Sequence, residues 1–118
     1  MMLRHIAPCS ECPWRLSAPA GWLGGHTPEL YADAVANNEV PACHRQDHGP
    51  ENPRTAMCAG ALAVAANACI LPHNTEGGPE ARIAVGRRED CFGHPAKFYE
   101  HHAGKPYVSF MLRKLAGA

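Results

Sequence analysis

Residues 55–69 read TAMCAGALAVAANAC, and the fold of this run decides the rest of the chain. Thr55 is a favourable N-cap, and the residues behind it are Ala, Met, Cys, Leu and Val on nearly every side, with Gly60 the one weak helix former near the start. A helix that is apolar all round has no face to give to water, so it belongs at the buried centre of the fold. The reading is therefore a mostly α protein with its other elements wrapped around one short central helix.

Upstream of that helix, Thr27-Pro28-Glu29 supplies a cap, a proline at the first helical position and an acid in the first turn. Leu30, Tyr31, Ala34 and Val35 then recur at helical spacing, and Asn37-Asn38 should end the helix. Residues 40–53 carry prolines, a glycine and polar side chains, which predicts a loop holding Cys43-His44. The opening to about Gly25 is rich in Pro and Gly, with Trp14 and Trp22 as its large apolar anchors.

Downstream, residues 74–79 form a turn-rich break, and ARIAV (81–85) suggests a short strand or extended run. HPAKFYEHHAGKP (94–106) reads as a helix with Pro95 at its start, Gly104 past its end and Pro106 forbidding continuation. Val108, Met111, Leu112 and Leu115 lie at i, i+3, i+4 and i+7, the spacing of a last amphipathic helix. The expected class is a small α+β fold, mostly α, with an irregular Cys-rich, metal-stapled N-terminal half and few short strands.

At 118 residues the chain fits one domain, small enough for a metal or disulfide staple to matter. We read residues 1–118 as a single metal-stabilised domain, with a metal-binding half at 1–60 and a helical remainder at 61–118. Eleven basic and eleven acidic side chains cancel, so no global positive field exists to hold duplex phosphates, and a nucleic-acid partner is not favoured. There is no apolar run of signal-peptide or membrane-spanning length. The expectation is a cytoplasmic protein without membrane association, whose six cysteines serve as metal ligands or buried thiols rather than disulfides.

The thiols sort by position. Cys9 and Cys12 form a Cys-x-x-Cys pair in a loop, a spacing that lets two sulfurs bind one ion from a single tight turn. Cys43 and Cys58 are the candidates to complete a tetrahedral Zn²⁺ site, Cys58 being favoured by unpaired N–H groups and the dipole near a helix start. His44 is the alternative fourth ligand, or a donor that orients a thiolate. Cys69 lies about 16 Å further along the same expected helix, too far to share the ion, and reads as a buried small hydrophobe. Cys91 reads as a free thiol, and His101-His102 as partners of a helix C-terminus.

Cys9-Ser-Glu-Cys12-Pro13-Trp14-Arg15, followed by Cys43-His44 and Cys58-Ala59-Gly60, resembles a family of short bacteriophage and actinobacterial proteins grouped as a domain of unknown function. That family opens with Cys-x-x-Cys-Pro-aromatic-Arg, continues with a Cys-His step and closes on Cys-x-Gly followed by an aromatic residue. Ala61 departs from it, since a tryptophan is usual there. The resemblance covers about the first half of the chain. It implies the order of the cysteine blocks and a phage or prophage setting, and no activity.

Three chemistries suit the thiols. A closed Cys₄ zinc site would staple an irregular opening, and in small domains such a site contributes on the order of 10 kcal/mol. An iron–sulfur cluster uses the same ligands, and Pro13 after Cys12 fits it, but the Cys-x-x-Cys-x-x-Cys run of bacterial clusters is absent. A thioredoxin-like dithiol would need a strand before the pair.

As for function, QDHGPENP (46–53), Asn67 and PHN (72–74) weakly resemble His-Asn-His metal-dependent nucleases, with Asp47-His48 as base, Asn67 as orienting residue and His73 as ligand. The preferred expectation is not an enzyme. It is a metal-stapled binding or regulatory module acting on a host protein, with Trp14, Arg15 and Trp22 as a possible binding surface.

Overall fold

The central helix forms, but it starts later than its expected cap. In the computed structural model, which describes residues 1–49 and 51–117, this helix spans Ala59–Asn67, and Cys58 rather than Thr55 is its N-cap, its Sγ accepting the Ala61 N–H at 3.4 Å. Thr55 is committed elsewhere: its hydroxyl accepts from His48 N and donates to Gly49 O, closing the 48–55 loop. Residues 56–58 run extended instead. Ala56 pairs with Met2 and Met57 with Ala42 in isolated bridges, so the stretch that threads into the helix is held from both sides.

Five helices are present among the described residues. We number them α1 (Pro28–Ala36), α2 (Ala59–Asn67), α3 (Gly78–Val85), α4 (Pro95–Ala103) and α5 (Phe110–Leu115). α1 begins as read, with Thr27 Oγ1 accepting from Leu30 N, and stops at Asn37, after which Asn38 takes a φ of 66°. α4 also begins and ends as read, with His94 Nδ1 accepting from Ala96 N and Gly104 left-handed beyond its last turn. The fold is mostly helical, as expected, and β pairing among the described residues is confined to three bridges.

The ARIAV strand is a correction: residues 81–85 are the body of α3. The signal lay just upstream, where Pro79 occupies the first turn and Gly78 passes so close to Pro72 that a Cβ there would collide with its carbonyl. Cys69 is a second correction. α2 ends at Asn67, and Cys69 lies beyond it with a φ of 57°, exposed, its sulfur 3.4 Å from Arg87 Nη2.

α2 is buried along its length from Ala59 to Ala66. It packs on α3, while α1 packs on α4. The main core joins α1, α2 and α4 through Trp14, which stacks on Phe98 with ring centroids 3.7 Å apart while Tyr31 meets both rings edge-on. Val40, Met57, Leu62 and Ala81 form a second cluster on the α3 side. Because Trp14 belongs to the irregular opening and Phe98 to α4, the two halves share one core. No helix among the described residues is long and apolar enough to cross a membrane.

Candidate metal centre

The N-terminus of α2 is where the cysteines gather. Cys12 Sγ lies against the first turn of the helix so closely that a Cβ on Gly60 would collide with it, and would stand 2.8 Å from Trp14 Cβ. This explains the glycine of the Cys58-Ala59-Gly60 block: it makes room for a sulfur arriving from another segment. Cys12 and Cys58 are both buried.

Cys9 and Cys12 sit on a tight turn closed by the Cys12 N–H on the Cys9 carbonyl at 3.2 Å, and Arg15 N repeats the step onto the Cys12 carbonyl at 3.2 Å. The peptide N–H of Glu11 favours the ionised form of Cys9, and those of Trp14 and, from α2, Gly60 favour that of Cys12. Cys43 enters beside the extended 56–58 stretch, its N–H on Ala56 O at 2.8 Å while Cys58 N donates to Pro41 O at 3.0 Å. Three segments far apart in sequence thus carry Cys9 and Cys12, Cys43, and Cys58 to one end of α2.

The electrostatics follow from this crowding. Hydrogen bonding with Cys58 and the surrounding N–H groups hold the Cys12 thiol below its usual range, while the same pairing and complete burial push Cys58 well above it. Burial also raises Cys9, and Cys12 and Cys43 add to that rise as nearby like charges. Of the two buried sulfurs, Cys12 is therefore the easier to ionise and Cys58 the harder.

The convergence is partial. Among the described residues, no group of three or more His, Cys, Asp or Glu side chains is arranged to hold a metal ion. The donor chemistry nevertheless fits a thiophilic ion, because soft sulfur ligands backed by peptide N–H groups are what Zn²⁺ sites of this kind use. His44 makes no hydrogen bond to a thiolate among these residues. Its ring packs edge-on to Trp22, 5.4 Å between centroids, and over Gly24, with Nε2 buried and without a partner.

The expected binding surface is largely withdrawn. Trp14 is fully buried and Arg15 is turned inward onto backbone carbonyls, so of the three only Trp22 remains exposed. Trp22 flanks a cavity of about 290 Å³ that also touches Ser10, Glu11, Cys12 and Ser17. Cys91, read as a free thiol, is buried in the core and pushed up to about 12 by burial.

The nuclease residues do not assemble. Asp47 lies near His26 at 3.5 Å, in the loop at the N-terminal end of α2. Asn67 closes the other end of that helix, about 12 Å away along its axis. Its amide donates to the carbonyls of Arg88 and Phe92 and its Oδ1 accepts from Arg88 N. His73 Nδ1 meets Leu71 O on the surface.

Sequence reasoning missed the work of His101 and His102. Their Nε2 atoms reach Ala18 O at 2.6 Å and Pro13 O at 2.8 Å, and His102 Nδ1 accepts from Gly21 N at 3.0 Å. α4 thereby grips the loop that follows the Cys9–Cys12 turn. No protein family, no characterised protein and no solved structure matches the chain.

Proposed function

We propose that the chain is a small binding module whose irregular opening is stapled by one Zn²⁺ on Cys9, Cys12, Cys43 and Cys58, with no catalytic role for the ion. The observation that carries the reading is the burial of Cys12 and Cys58 together at the start of α2, in a pocket kept open by Gly60, with the Cys9 and Cys43 segments bonded in beside them. A cation there would let both sulfurs ionise and would draw the other two inward. All four positions would then be filled by protein, leaving no open site for water. His44, with its buried orphan Nε2, is the alternative to one of the cysteines.

The binding role rests on the C-terminal end. Val108, Phe110, Met111, Leu112 and Leu115 are all exposed there, an apolar concentration of the kind that marks protein contact sites. The partner class this supports is protein rather than nucleic acid.

Elemental analysis of protein purified without chelator should give one zinc per chain, and Cys12→Ser should abolish it while Cys69→Ala retains it. Zinc-free and iron-free protein would sink the staple. If that protein instead carried a Cys12–Cys58 disulfide, formed by loss of two electrons and two protons to an added oxidant, the pair would be a redox dithiol. A brown protein containing iron would make the group an iron–sulfur cluster.

A further inference from the structure

The arginine that follows the Cys-x-x-Cys turn is committed to the turn itself. Arg15 Nε donates to the Cys9 carbonyl at 2.7 Å and Nη2 to the Pro8 carbonyl at 2.5 Å, so one planar fork fixes two successive peptides on the N-terminal side of the turn. The Cys9 carbonyl is also the acceptor of the Cys12 N–H that closes the turn. The remaining arm, Nη1, reaches Asp90 Oδ2 at 2.7 Å, and Asp90 is held in a two-oxygen grip by Arg88 at 2.9 Å on each side.

The segment behind Asp90 is anchored in turn. Leu16 N donates to Asp90 O at 2.9 Å and Phe92 N to Trp14 O at 3.2 Å. The Asn67 side chain, at the end of α2, bonds Arg88 and Phe92 through its amide and carbonyl. One helix therefore supports the thiols from both ends. Its N-terminus seats Cys58 and Cys12, and its C-terminus, through residues 88–92, aims Arg15 at Cys9.

We infer that Arg15 and Asp90 are positioning residues for the thiol site, holding the Cys9 peptide in the orientation from which its sulfur joins Cys12 and Cys58 on one ion. The inference rests on the staple reading. Cys9 is only partly buried, unlike Cys12 and Cys58, so its position depends on how its turn is held, and this clamp holds that turn directly. An arginine fork that merely tied two surface segments would lower stability with and without metal alike and leave zinc affinity unchanged.

The test measures Zn²⁺ affinity of the full chain by competition with a chromophoric chelator, alongside the thiolate charge-transfer absorption of the Co²⁺ form. Asp90→Asn should weaken zinc about 10–100-fold, the usual effect of removing a partner that orients a ligand. Arg15→Gln should weaken it at least as much. Arg15→Lys, which keeps the charge but not the fork, should fall between. Arg87→Gln, a change at an arginine that lies against Cys69, should leave affinity as it is. The Co²⁺ forms of Asp90→Asn and Arg15→Lys should lose part of their charge-transfer intensity as Cys9 leaves the ion.

Should Arg15→Gln fail to fold, the two conservative variants carry the test. Unchanged affinity and unchanged Co²⁺ spectra in both, with wild type binding normally, would overturn the clamp alone. Wild type that binds neither ion would overturn the staple itself.

Discussion

Gly60 and His102 show how much single residues do in this chain. In isolation Gly60→Ala should strengthen α2, since alanine is the better helix former by about 1 kcal/mol. Here the new methyl meets Cys12 Sγ and Trp14 Cβ, and neither can withdraw, because Trp14 is stacked on Phe98 and fully buried. The clash should win. We expect Gly60→Ala to destabilise the protein by about 1–3 kcal/mol in urea titration and to weaken metal retention; a stabilised variant would show that Cys12 does not sit against the helix. His102 gives a pH dependence. Its Nδ1 accepts the Gly21 N–H and its Nε2–H donates to Pro13 O, so the folded ring is neutral, and burial holds its pKa below the usual value, with the nearby charge of His101 adding to the effect. A histidine depressed in this way contributes stability that is complete above its unfolded pKa, about 6.5, and is lost as pH falls below that value toward the folded one. Unfolding midpoints measured from pH 8 to pH 5 should therefore decline below about 6.5. His44, depressed by burial as well, adds to the same limb, so the assignment rests on the difference: His102→Gln should show a shallower decline than wild type.

At the scale of elements, the sequence was legible where the signal is local. α1 and α4 were bounded by their own caps, prolines and glycine, and both lie where those residues put them. The burial of α2 could be read from its composition, but its first turn could not, because a β-like pairing of Ala56 with Met2 and of Met57 with Ala42 overrides the Thr55 cap. That pairing is non-local and leaves no mark in the stretch itself. α3 was misread because five residues of mixed apolar character fit strand and helix alike. The candidate site was legible as a set of cysteines, whereas its supports were not: the roles of Gly60, Asp90, Asn67 and His102 depend on partners distant in sequence. α5 is the opposite case. Its apolar spacing is real, yet each of its residues is at least partly exposed, and six residues are too few to hold a helix in water unaided. What fastens it is polar: Arg113 donates to Asp33 Oδ2 and Tyr107 donates to Asp33 Oδ1, both onto α1. Asp33→Ala should cost about 2 kcal/mol and, more tellingly, should raise amide exchange across residues 107–115 well above that of α2 and α4. Equal exchange in variant and wild type would mean that the helix is held by something other than this carboxylate.

For the molecule as a whole, the staple reading raises the question of whether an ion would create the fold or reinforce one that already exists. The chain has more than a zinc finger to stand on. The Trp14–Phe98 stack, the Arg15–Asp90 pair and the His102 bonds to Pro13 and Gly21 all tie the irregular opening to the C-terminal half without passing through sulfur. Metal-free protein should accordingly keep most of its helical circular dichroism, in contrast to domains that are unfolded without metal. On the staple reading an ion would instead act by mass action, since the segments that carry the four cysteines meet at one end of α2 only in the folded chain. One site saturated at 1,000 times its dissociation constant adds about 4 kcal/mol. With an unfolding entropy of about 2.1 cal/mol/K per residue, that corresponds to a rise in Tm of roughly 15 °C for a chain of this length. Thermal melts with excess chelator and with buffered free Zn²⁺ should differ by about this amount, and the gap should close in Cys12→Ser. The free-zinc series should also rise logarithmically, each tenfold step adding about 1.4 kcal/mol once the site is filled. A Tm indifferent to both zinc and chelator would mean that no ion bridges these segments, and the buried Cys12–Cys58 pair would then stand as a dithiol on a fold that never needed a staple.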